Sequence, residues 1–157
     1  MKIKIIFALL ASLFTTCINA GTLVFEQSGY SIQSLDSPPP LAGVQPLQML
    51  LPAVNGFSAN VNVQIQPYNG TLSQYKDISD SQFKQYGFKP ILSKINSNNV
   101  TFEYTGAMSG KNLHWYSKAY KKGDFIYLVT ATEQESNWEK TKNKLMSVVD
   151  SFKLNKI

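Results

Sequence analysis

Few residue types in this chain could carry chemistry, and they stand apart from one another. His114 is the only histidine, Cys17 the only cysteine, and every basic side chain is a lysine. A Ser–His–acid device needs a nucleophile, a base and an orienting carboxylate in mutual reach. Glu103 falls on the strand expected beside His114, but about four residues along it, too far to orient the ring. His114 is therefore expected on the surface or under a helix, not as a base. Metal binding finds no second histidine or cysteine, and Asp77 and Asp80 lack an oxygen-ligand loop. Gly106 and Gly110 are isolated in a hairpin and form no phosphate-cradling loop. Asn69-Gly70-Thr71 and Asn99-Val100-Thr101 fit the glycosylation pattern, a short match that chance produces. No catalytic residue, metal or cofactor is expected, and the chain reads as non-enzymatic. Tyr116, Tyr120 and Tyr127 are the remaining candidates. They could line an aromatic ligand pocket between sheet and helix, although a packed core would use the same residues.

The elements that place these residues are legible from pattern. Phe125 to Thr132 is a run of apolar, aromatic and β-branched residues, the mark of a strand covered on both faces. Ser136 to Phe152 follows as an amphipathic helix. Trp138, Thr141, Leu145, Val148, Val149 and Phe152 share one stripe. Ser136-Asn137-Trp138-Glu139 fits a capping box, with Ser136 as the cap. Thr71-Leu72-Ser73-Gln74 fits the glutamine form of the same box and opens an earlier helix. There Leu72, Tyr75, Phe83 and Tyr86 share a face, with an expected break at Ser79-Asp80 and an end at Gly87.

Strands are expected in TLVFE and YSIQSL (22–26 and 30–35), Leu47 to Leu51, Asn60 to Gln66, Phe88 to Ile95, Val100 to Met108 and Leu113 to Lys121. Turns fall at the intervening Gly, Asn and Ser positions. Pro38-Pro39-Pro40 forces an irregular loop. In Asn60 to Gln66 the valines and Ile65 alternate with amides, and the amide side could face water or lie beneath a ligand; water is the expectation. In the long hairpin, Val100, Phe102, Tyr104, Leu113, Trp115 and Ala119 make a core face. The opposite face carries Glu103, His114, Tyr116 and Lys118 and should lie partly under a helix, with Glu103 opposite Lys118. Strands, helix, strands, helix argues for an antiparallel α+β domain.

Met1 to Ala20 has a lysine start, a short apolar run and a small-residue exit. It reads as a secretory signal cleaved after Ala20, too short to span a bilayer. Lipidation of Cys17 is the rival reading, but Phe14-Thr15-Thr16 departs from the usual residues before a lipidated cysteine. Residues 21–157 suit one domain. No later stretch is apolar enough for a transmembrane helix. Without arginine's planar fork, nucleic-acid recognition loses ground. The modest positive charge could support weak contact with an anionic membrane surface, or serve solubility alone.

Ile126-Tyr127-Leu128-Val129-Thr130-Ala131-Thr132-Glu133, a tryptophan-bearing helix and the closing Ser151-Phe152 resemble the C-terminal half of the PsbP-like superfamily. Gly56-Phe57 before Asn60-Val61-Asn62-Val63, then the Leu72 to Tyr86 helix, follow the same order. The likeness covers roughly Gly21 to Leu154. It implies an α/β/α sandwich around a central antiparallel sheet, and the signal favours the bacterial DcrB-like branch. Members are mostly binding or assembly proteins with no shared catalytic residues to carry across. The resemblance thus implies a periplasmic or secreted module that meets an envelope protein partner. A small-ligand carrier is the alternative.

Overall fold

The structure, a computed structural model, describes residues 22–25, 30–33 and 47–154. The proposed leader, Cys17 and the proline loop lie outside them. β1 (Thr22–Phe25) and β2 (Tyr30–Gln33) pair antiparallel as a two-stranded sheet of their own. The remaining strands are β3 (Leu47–Leu50), β4 (Asn60–Pro67), β5 (Lys89–Ile95), β6 (Asn99–Met108), β7 (Lys111–Lys122) and β8 (Phe125–Gln134). They form one antiparallel sheet in the order β3-β4-β8-β7-β6-β5. With helices α1 (Leu72–Gln85) and α2 (Glu135–Asp150), the class is α+β, as expected.

Strand alternation divides the core in two. One cluster joins Val61, Val63, Tyr116, Tyr120, Val129 and Ala131 to Trp138, Leu145 and Val149 of α2. The other joins Val100, Phe102, Ala119 and Ile126 to Phe83 of α1, with Tyr75, Tyr104 and Leu128 packed against it. Neighbouring residues on β7 and β8 thus serve different helices. This is why those strands read as continuous runs of large residues.

Two expectations about α1 change. The helix does not break at Ser79-Asp80. Ser79 is buried, and its hydroxyl donates to the Tyr75 carbonyl (2.8 Å), so the polar group is satisfied inside an intact helix. Tyr86 is the C-terminal cap and stands exposed, off the buried face.

The β6–β7 hairpin also differs. Its turn is the two-residue Ser109-Gly110, both at positive φ (50° and 74°), the backbone of a tight type I′ connection. Met108 therefore faces Lys111 and Glu103 faces Tyr116, two positions from the expected register. A shift of two preserves which face each side chain occupies but changes its diagonal neighbours. Gly106 is needed for packing: a Cβ there would run into the ring of Phe88. That ring stacks with Tyr104 and lies against Trp115.

Candidate functional site

The register shift decides what happens at His114. It now lies opposite Thr105, so Glu103 is a diagonal neighbour two residues away. His114 Nε2 is 2.8 Å from Glu103 Oε1, and Nδ1 is 2.7 Å from Glu135 Oε2 at the first position of α2. The expectation that Glu103 is too distant, and pairs with Lys118, is corrected. Trp138 stacks on the imidazole at 4.0 Å between centroids, with the planes 12° apart. The ring is 4% exposed. Ionised carboxylates only accept, so both contacts are made together when both ring nitrogens donate. The two carboxylates sit on opposite sides of the ring and do not converge on one point. The group ties β6, β7 and α2 together.

Next to it, Glu133 is almost fully buried and fully used. Oε1 accepts from the Gln134 backbone N–H (2.8 Å), and Oε2 accepts from Asn137 Nδ2 (2.9 Å) and Thr141 Oγ1 (3.2 Å). Glu133 thereby ties the start of α2 to the end of β8. The N-terminal cap of α2 is Gln134, which makes no side-chain cap bond, and Ser136 lies exposed inside the helix.

The three candidate tyrosines lie on this same α2 side. Tyr116 and Tyr120 are buried in the cluster, Tyr127 packs at its margin, and Phe152 lies against both Tyr120 and Tyr127. Tyr116 Oη donates to Asp150 Oδ1 (3.0 Å), which also receives Lys118 Nζ (2.7 Å). Burial, then the bond to Asp150, pushes the Tyr116 phenol up to about 12. Burial alone would lower the Lys118 ammonium, but its bond to Asp150 prevails and raises it.

A cleft of about 330 Å³ opens instead on the α1 side, lined by a different trio: Tyr68, Tyr75 and Tyr104. Phe83 and Phe102 contribute rings, and Gln66 and Ser117 contribute polar groups. Tyr75 Oη donates to Gln66 Oε1 (3.0 Å), and burial pushes the Tyr75 phenol up to about 12. Gln66 belongs to the amide side of β4, so that side is partly covered rather than facing water alone. Ser117 is 2% exposed, and its hydroxyl has no hydrogen-bond partner among the described residues. The nearby Tyr104 phenol is raised by burial and drawn part of the way back by Ser117, without meeting hydrogen-bond geometry. Sequence reasoning missed this cleft. The available signal was Ser117, a small polar residue on a strand face otherwise built from Leu113, Trp115 and Ala119. Small residues under a helix leave room.

A third feature is the sheet edge. On β3, Leu47, Met49 and Leu50 are exposed. With Leu51, Val61 and the α2 residues Leu145 and Val148, Met49 and Leu50 line an apolar groove of about 170 Å³. Among the described residues, no helix is long and apolar enough to cross a membrane.

No family model matches the chain, and no curated protein does. The fold is shared with PA94, a protein of unknown function from Pseudomonas aeruginosa. The TM-score is 0.66 at 12% identity, over 87% of this chain and 98% of that one. Cyanobacterial PsbP from Synechocystis superposes with a TM-score of 0.46 at 14% identity, over 93% of this chain and 99% of that one.

Proposed function

We propose that the chain is an exported, non-catalytic binding module of the bacterial envelope, built as a PsbP-like α/β/α sandwich of the DcrB-like kind. The observation that carries the binding role is the β3 edge. An edge strand offers unpaired backbone groups, and natural sheets usually guard such edges with charge, proline or a bulge. Here three apolar side chains stand exposed instead, beside a groove with an apolar floor. An extended apolar segment of an envelope protein could add to β3 and seat alternate side chains in that groove. The non-catalytic part of the reading is supported by His114, whose ring nitrogens are both engaged and whose face is covered by Trp138. Export is supported by the leader pattern of residues 1–20.

The test is capture from an envelope extract with three baits: the wild type, Leu50→Lys, and Ile91→Lys on the opposite edge strand β5. Leu50 is 62% exposed and Ile91 58%, so neither change burdens the fold. The wild type and Ile91→Lys should retain the same protein, and Leu50→Lys should lose it. Equal capture by all three baits, or no capture, rejects the edge as the docking site. Intact mass of the chain from its host checks export separately. A start at Gly21 is expected, and a lipid adduct on Cys17 would replace secretion with membrane anchoring.

A further inference from the structure

The cleft between α1 and the sheet has the composition of a ligand site and lies away from the β3 edge. Its floor holds Ser117, deeply buried, with a hydroxyl that completes no hydrogen bond to a described residue, although it lies close enough to draw on the Tyr104 phenol. Buried hydroxyls are nearly always paired, because an unmet one forfeits its hydrogen bonds to water. Ser117 lines the cleft while its hydroxyl is sealed from solvent, so a ligand reaches it only as the side chains over it move apart. Aromatic rings of Phe83, Phe102 and Tyr104 flank the space, and the exposed side chains of Ile78 and Gln82 stand at its rim.

No lysine, aspartate, glutamate or histidine lines the cleft. The ammonium of Lys121, 5.7 Å from the Tyr68 ring centroid, is held by the carbonyls of Tyr68 (2.9 Å) and Gly123 (2.8 Å). A charged ligand would lose its water there without gaining a counter-charge. Size sets the other bound. An apolar cavity of about 150 Å³ accepts benzene, so about twice that volume accommodates one or two fused rings.

We propose that this cleft binds an uncharged small molecule of one or two rings, which stacks among the aromatic side chains and brings a hydrogen-bonding group to Ser117. Gln66 and Tyr75 already bond to each other at one wall, which fixes two further polar groups before a ligand arrives. Such pre-arrangement lowers the ordering cost of binding.

The experiment titrates the isotope-labelled chain with indole-3-carboxamide and benzamide, following backbone amide shifts by NMR. Indole-3-carboxylate, of the same shape but charged, is the control. Saturable shifts should centre on Tyr75, Ser79, Tyr104 and Ser117, and the carboxylate should bind at least tenfold more weakly than the indole amide. Ser117→Ala should weaken indole-3-carboxamide at least tenfold without lowering the thermal midpoint, since it removes a hydroxyl that has no partner in the free fold. A merely structural serine would show the opposite pair of results. Shifts absent from the cleft with both amides would overturn the proposal. So would a carboxylate that binds as well as the amide, or a Ser117→Ala variant that binds like the wild type because water alone meets the hydroxyl.

Discussion

The α2 side and the α1 side of the sheet solve the same packing problem differently. On the α2 side, large side chains fill the space and the buried polar groups find partners. His114 has Glu103 and Glu135, Glu133 has three donors, and Tyr116 has Asp150. On the α1 side a cleft remains, and Ser117 is the buried side chain left unpaired among the described residues. The two faces of one sheet thus differ in how completely their buried polar groups are paired among the described residues. Side-chain volume differs across β7, with Ser117 lining the cleft on one side and Tyr116 and Tyr120 filling the cluster on the other.

The largest test of that contrast compares the two aromatic anchors. Trp138→Ala should cost about 3–5 kcal/mol, since it removes the ring stacked on His114 and leaves a void in a filled core. Phe83→Ala borders a space that is already open and should fall at or below about 3 kcal/mol. Chemical denaturation decides, and a phenylalanine that costs as much as the tryptophan erases the difference between the sides.

Glu133→Ala comes next. It strips three hydrogen bonds from a buried carboxylate and frees the start of α2, at about 1.5–3 kcal/mol for a charge-assisted network. A cost under about 0.5 kcal/mol, the range of an ordinary surface change, would mean that the network does not hold the helix.

Alkaline titration tests both sides together. The phenols of Tyr75 and Tyr116 stand at about 12 against an ordinary value of 10.0. Above pH 10 the unfolded chain has lost these protons while the fold retains them, so stability is full below pH 10 and falls as pH rises toward 12. The loss should be about 1–2 kcal/mol per tyrosine after allowance for solvent screening. Tyr75→Phe and Tyr116→Phe should each remove one late step from the phenolate absorbance. Indole-3-carboxamide in the cleft should delay the Tyr75 step and leave the Tyr116 step in place. A delay at Tyr116 instead would put the ligand on the wrong side.

Much of the fold was legible because alternation and turn residues are local signals. Val61, Val63 and Ile65 marked β4, and Thr71 with Gln74 marked the start of α1. The site was less legible because it depends on register and volume. Nothing in residues 106–113 states whether the hairpin turns over two residues or four, yet that choice brings Glu103 to His114. Tyr116, Tyr120 and Tyr127 share the α2 side of the sheet, but a list of aromatic residues does not tell a filled interface from an open one. That difference arises from Ser117, whose small volume matters only once α1 is seen above it.

The two helix starts supply the smallest and sharpest comparison. At α1, Thr71 Oγ1 accepts from the Gln74 N–H (3.2 Å) and Gln74 Oε1 accepts from the Thr71 N–H (2.8 Å), a complete capping box. Thr71→Ala should therefore cost about 0.5–2 kcal/mol. At α2 the same sequence signature, Ser136 with Glu139, lies two residues too late. Glu133 accepts from the Gln134 N–H at the cap position, and the helix has already begun at Glu135 when Ser136 is reached. Ser136 is then an exposed residue within the first turn, where alanine is the better helix former by about 0.5 kcal/mol. Ser136→Ala should leave stability unchanged or slightly raised, as read from the denaturation midpoint at constant slope. A loss of 1 kcal/mol or more, equal to that of Thr71→Ala, would restore Ser136 as the cap.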